Sequence, residues 1–109
     1  MAKYKTPEEA YARAEALIAQ AKAEEWEKLE LRGSRFGDFD ALSRLPPGIR
    51  DLTALQSLTL HNTQVQDITP LRDLTALQNL DLDNTQVQDI TPLRDLTALQ
   101  ILTLDNTQV

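Results

Sequence analysis

The side chains whose types and spacing could do chemistry together fall in the second half of the chain. His61 is the one histidine, and there is no cysteine. Asp83 follows it one 22-residue period on and Asp105 a second period on, with Asp81 two residues before Asp83. If those spacings stack the residues side by side, the carboxylates attract a cation or a basic side chain of a partner. Calcium needs more oxygens than any nearby loop supplies, so contact with a partner's Lys or Arg is the expected use, and no metal site is assigned. A histidine among carboxylates can titrate near neutrality, but an ordinary exposed side chain is the expectation for His61. Ser57, the nearest serine, lies two strand steps from His61 on what would be a flat, open sheet. That is no nucleophile–base pair. Gly33 and Gly37 lack the Lys-Ser/Thr that completes a phosphate loop. No catalytic residue and no cofactor is therefore expected.

The 109 residues suffice for one small domain. Without cysteine there is neither a disulfide framework nor a thiolate zinc site. No apolar run is long enough to span a bilayer. Glu8, Glu9 and Glu15 interrupt any signal-peptide core. A cytoplasmic setting is the resulting expectation for this chain. Residues 1–50 are balanced in charge, so the net −6 arises in residues 51–109, where Arg72 and Arg94 face eight aspartates. That half repels phosphate backbones and anionic lipid. It suits solvation or a basic protein surface, which argues against nucleic acid and membrane as partners.

A 22-residue repeat positions these residues. Gln66–Val87 and Gln88–Val109 agree at 20 of 22 positions, differing at Asn79/Ile101 and Asp81/Thr103. Arg50–Val65 matches Arg72–Val87 except at Ser57/Asn79, Thr59/Asp81 and His61/Asp83. A fixed period of this length predicts a solenoid, each coil sheltered by its neighbours. Leu58 and Leu60 alternate with Ser57, Thr59 and His61, the pattern of a strand with one buried face. Leu80 and Leu82, then Leu102 and Leu104, repeat it. Val65, Ile68, Leu71, Leu74 and Leu77 are expected to point inward. Thr69-Pro70 opens a short helical turn, with Thr69 expected as its cap. Asn62, Asn84 and Asn106 follow the strands and are expected to be buried amides bonded to turn backbone, a structural ladder rather than a site.

The stretch LTALQNLDLDNTQVQDITPL, from Leu74 to Leu93, resembles the 22-residue leucine-rich repeat of bacterial internalin-type proteins. The resemblance covers residues 50–109 and rests on the spacing of Leu74, Leu77, Leu80, Leu82, Asn84, Val87, Ile90 and Leu93. It implies an α/β, right-handed solenoid, with a parallel strand ladder on the concave face and short helical turns on the convex face.

A degenerate coil precedes the regular ones. Leu29, Leu31, Gly33, Phe36, Phe39, Leu42 and Leu45 repeat their offsets, with Gly33 in place of the Asn. Leu42–Ile49 (L-x-x-L-P-P-x-I) resembles a different leucine-rich repeat subtype and lengthens this coil to 29 residues. Upstream, Thr6-Pro7-Glu8-Glu9 reads as an N-cap, a first-turn proline and a capping box. A helix from about Pro7 to about Glu24 should bury Tyr11, Ala14, Leu17, Ile18 and Ala21 and cover the first coil, with Trp26 sealing the junction. The expected organisation is a cap at 1–27 and an array at 28–109. Within the array, a degenerate coil spans 28–56, regular coils span 57–78 and 79–100, and a partial coil spans 101–109. The open flank at Leu102, Leu104 and Val109 suggests a truncated or engineered fragment, and suggests self-association through that edge.

The coils differ at Ser57/Asn79/Ile101, Thr59/Asp81/Thr103 and His61/Asp83/Asp105, to which the first coil contributes Lys28, Glu30 and Arg32. All are outward strand positions. Gln64, Gln66 and Arg72 should be exposed too, yet their counterparts do not vary. Varied face residues on a constant scaffold point to a protein-recognition surface on the concave face. Four short strands offer less than the ~800 Å² per partner of a standard interface, so such a surface alone binds weakly. Two alternatives remain open: a non-catalytic recognition segment of a larger signalling enzyme, such as a GTPase or ligase, and a designed repeat scaffold without a natural ligand.

Overall fold

The computed structural model describes residues 4–33 and 39–109, so Phe36 and Gly37 lie outside the described residues. Helix α1 spans Pro7–Glu24. Four three-residue strands follow: β1 (Lys28–Glu30), β2 (Ser57–Thr59), β3 (Asn79–Asp81) and β4 (Ile101–Thr103). They form one parallel sheet in sequential order. Short 3₁₀ segments at Pro47–Asp51, Thr69–Leu71 and Thr91–Leu93 run along the opposite side. This is the leucine-rich repeat solenoid, with a strand ladder, helical turns and a capping helix.

The leucines fix the coil. Leu58, Leu60, Val65, Ile68, Leu71, Leu74 and Leu77 are all essentially fully buried, as their spacing predicts. Strand register is exact to the repeat: Lys28 pairs with Ser57, Ser57 with Asn79 and Asn79 with Ile101. The 29-residue first coil therefore enters the ladder in step despite its extra length. Leu29, Leu31, Phe39, Leu42 and Leu45 are buried like their counterparts. Its added Pro46-Pro47-Gly48 is taken up by the 3₁₀ segment Pro47–Asp51.

Helix α1 begins at a Thr6 N-cap, whose hydroxyl accepts from Glu9 N–H at 3.1 Å. The capping box is altered, since Glu9 Oε1 accepts from the Thr6 hydroxyl itself. The helix ends with Glu25 at φ 54° and the Trp26 N–H bonded to Ala21 O at 2.9 Å, a Schellman-type stop. The buried stripe is Ala10, Ala14, Ile18 and Ala21, while Tyr11 and Leu17 are half-buried. It is thus rotated from the expected face toward Ala10. Three alanines let the helix approach closely, and Ile18 packs beside Gly48 of the first 3₁₀ segment. Tyr11 instead lies under the Arg44 guanidinium, 4.0 Å from its ring centre. Trp26 is half-buried at the junction and donates to Glu24 at 3.0 Å.

Burial fades along the ladder. Leu58 and Leu80 are sealed on both flanks, but Leu102 and Leu104 are only half-buried, and Ile101 and Val109 are more than half exposed.

Two turn assignments need correction. The expected buried asparagine amides are not found. Asn62, Asn84 and Asn106 adopt φ of 61°, 58° and 59°, and their side chains make no hydrogen bond among the described residues. Asparagine stands there because it tolerates the left-handed region better than most residues. The bonds across coils come from its backbone: Asn62 N–H donates to Asp83 O at 3.0 Å and Asn84 N–H to Asp105 O at 2.8 Å. The buried polar side chains are the next residues, Thr63 and Thr85, whose hydroxyls donate to Leu60 O and Leu82 O. Gly33 continues the ladder by donating to His61 O at 2.8 Å, but without a positive φ. A Cβ there would collide with Asn62 O and the Asp40 carboxylate, so glycine is required by crowding rather than by conformation.

Thr69, in turn, is not a cap. Asp67 Oδ1 accepts from both the Thr69 N–H (2.9 Å) and its hydroxyl (2.6 Å), and Asp89 accepts from Thr91 N–H at 2.8 Å. The aspartate two residues upstream caps each turn, as a short side chain does in an Asx turn. Hydrogen bonding from the threonine hydroxyl, then its amide, holds both carboxyls below the usual aspartate range.

Candidate functional site

The in-register ladder sorts the varied residues into three columns on one face. Lys28, Ser57, Asn79 and Ile101 form the first, and Glu30, Thr59, Asp81 and Thr103 the second. Beyond the strand ends, the bonds of Gly33, Asn62 and Asn84 carry the order into a third: Arg32, His61, Asp83 and Asp105. A shallow hollow of about 240 Å³ is lined by Ser57, Thr59, Asn79, Asp81, Asp83, Ile101 and Thr103. Ser57 and His61 stand in different columns, with Thr59 between them.

The acidic patch is tied together rather than loose. Asp81 Oδ1 accepts from Asp83 N–H (2.9 Å) and from the Thr103 hydroxyl (2.9 Å) across the strands. Asp83 Oδ1 accepts from Asp105 N–H at 2.8 Å. Asp81 and Asp83 are thus each oriented through Oδ1. Asp83 and Asp105 do not meet as two parallel carboxylates, because the first turns to the second's backbone.

His61 departs from the expectation of an ordinary exposed side chain. It is 27% exposed, and its Nδ1 is buried, 3.5 Å from Asp81 Oδ2, with no hydrogen bond among the described residues. Sequence reading missed this because the column order places His61 beside Asp83, whereas the contact runs diagonally to Asp81. Elsewhere on the face, Lys28 pairs with Glu30 at 3.3 Å. Arg32 Nε is also buried without a partner among the described residues.

Larger hollows lie on the opposite side. One of about 530 Å³ opens between successive 3₁₀ turns, walled by Pro47, Pro70, Arg50, Asp73 and Arg72. Arg50 and Asp73 form an ion pair there at 3.5 Å. Its Pro, Arg and Asp walls belong to the part of the repeat that scarcely varies between coils. Both facts fit a role in the scaffold, so size alone does not make this hollow the site. No described helix is long and apolar enough to cross a membrane.

No family model and no curated protein matches the chain. Solved structures do match, among them two from Listeria monocytogenes. The chain is 43% identical to an internalin C2, with a TM-score of 0.55 over 56% of this chain and 27% of that one. It is 30% identical to an internalin (inlF), with a TM-score of 0.68 over 86% of this chain and 29% of that one. It spans less than a third of the length of either. Coil period, strand register, capping helix and these likenesses agree: the chain folds as a leucine-rich repeat solenoid, and its 22-residue coils are similar to those of the internalins.

Proposed function

We propose that the chain is a non-catalytic binding module that takes a protein partner on its concave strand face, with Asp81, Asp83 and Asp105 meeting basic side chains. One observation carries the reading. The positions that vary between otherwise near-identical coils are the outward side chains of a single in-register face. A drifting surface would vary on the convex side as well. The acidic columns and the net charge of −6 favour a basic partner, by steering and by contact. The small face implies modest affinity.

Partners selected from a displayed protein library should separate the two faces. Asp81→Lys/Asp83→Lys should weaken their binding by at least tenfold, while Arg72→Glu/Arg94→Glu on the convex side leaves it within twofold. Partners lost to the convex variant and kept by the concave one would contradict the proposal. Thermal melts of both variants establish that each remains folded.

A further inference from the structure

The same columns assemble one set of metal-ligating atoms that the repeat itself does not contain. One ring nitrogen of His61 and one carboxylate oxygen each from Asp81 and Asp83 lie within 4.8 Å of one another, and His61 Nδ1 is 3.5 Å from Asp81 Oδ2. The two carboxylates are already oriented through their other oxygens, by Asp83 N–H, the Thr103 hydroxyl and Asp105 N–H. His61 Nδ1 is a buried nitrogen without a hydrogen bond among the described residues, and it faces the cluster. Its 3.5 Å distance to Asp81 Oδ2 is too long for a good N–H···O bond. A buried nitrogen without a hydrogen bond asks for a closer partner, and the two carboxylates grouped with it narrow what that partner is.

We propose that His61, Asp81 and Asp83 bind one divalent transition-metal ion of the zinc class, through His61 Nδ1 and one oxygen of each aspartate. An imidazole with two carboxylates suits zinc-like ions, whereas calcium and magnesium require six or more oxygens. Tetrahedral bonds of about 2.0–2.1 Å put ligand atoms about 3.3 Å apart, so the three must close inward from their present spacing. All three side chains are partly exposed and able to turn, while the hydrogen bonds on the far oxygens keep the carboxylates aimed. The protein supplies three ligands, and the fourth position opens to the concave face. Arg32, next to His61 in its column, offers no ligand and its charge opposes the ion, so the site is of moderate affinity. One coil further along, the equivalent positions are Asp83, Thr103 and Asp105, which lack both the imidazole and a carboxylate. Among the described residues this is the one such set, and it stands whether or not the face meets a protein.

Calorimetric titration of the intact chain with zinc chloride, and separately with calcium chloride, tests this. His61→Asp and Asp81→Thr are the matched variants, because aspartate and threonine already occupy those columns in other coils and the fold should tolerate them. One zinc per chain is expected, with binding at least tenfold weaker in either variant and calcium weaker than zinc. The ring resonances of His61, the one imidazole in the chain, should shift within the first equivalent. A chain that binds no zinc, prefers calcium, holds zinc equally well in both variants, or leaves the His61 ring unmoved would overturn the assignment.

Discussion

Asn84 illustrates how one residue type can be required for a reason other than its most obvious chemistry. Its amide invites a hydrogen-bond explanation, but its φ of 58° supplies a conformational one. Asn84→Ala should cost about 1 kcal/mol, because alanine keeps the Cβ but lacks the short polar side chain that lets asparagine tolerate the left-handed region. Asn84→Gly should stay within a few tenths of a kcal/mol of the parent, because glycine enters that region freely. Urea unfolding of both variants measures the difference. Equal losses in the two would restore a role for the amide. The hydroxyl of Thr85, one residue on, makes the buried hydrogen bond instead. The sequence places both residues after each of β2, β3 and β4 and offers no sign of which one turns inward, since both are small and polar. His61 shows the same limit from the other side. Its column is legible from the period, but its diagonal contact with Asp81 depends on how far a side chain leans along the strand.

Among the elements, the strands and the capping helix are the most legible. Leucines spaced two apart can bury one face of a strand, and they do so at Leu58/Leu60 and Leu80/Leu82. The Thr6-Pro7 start and the Glu25 stop bound α1 where the pattern places them. Its buried face is less legible, because in an alanine-rich helix several stripes are equally apolar and the neighbour decides. Ala10 wins over Tyr11 as the position at the interface, because the helix packs close to Gly48. The cap of the Thr69-Pro70 turn is not legible for a related reason. Thr69 has the preferred chemistry, but Asp67 lies at the reach of an Asx turn. The capping aspartates give the turns a pH dependence. Asp67 and Asp89 have lowered pKa values in the folded chain, so their contribution is fully present above the ordinary aspartate range, about 4. It is lost as pH falls through the folded values. In acid titrations followed by circular dichroism, Asp67→Asn/Asp89→Asn should narrow the gap in stability between neutral and acidic solution. A variant with an unchanged acid profile would show that these carboxylates contribute nothing through their charge.

At the scale of the whole molecule, near-identical coils turn a one-dimensional sequence pattern into a two-dimensional surface. Constant leucines make the register, and the register gathers residues 22 apart into columns. The proposed recognition by the strand face and the proposed three-ligand site at His61 both depend on that gathering. The absence of cysteine provides a clean background for testing it. Ser57→Cys/Asn79→Cys places two thiols on neighbouring rungs of the same column, and Ser57→Cys/Thr75→Cys places the second in the exposed connection between strands. The yield of intramolecular linkage by a short bis-maleimide, read by intact mass, is the decisive measurement. The account predicts near-complete linkage of the first pair and little of the second. Equal linkage of both pairs, or none at Ser57/Asn79, would contradict it.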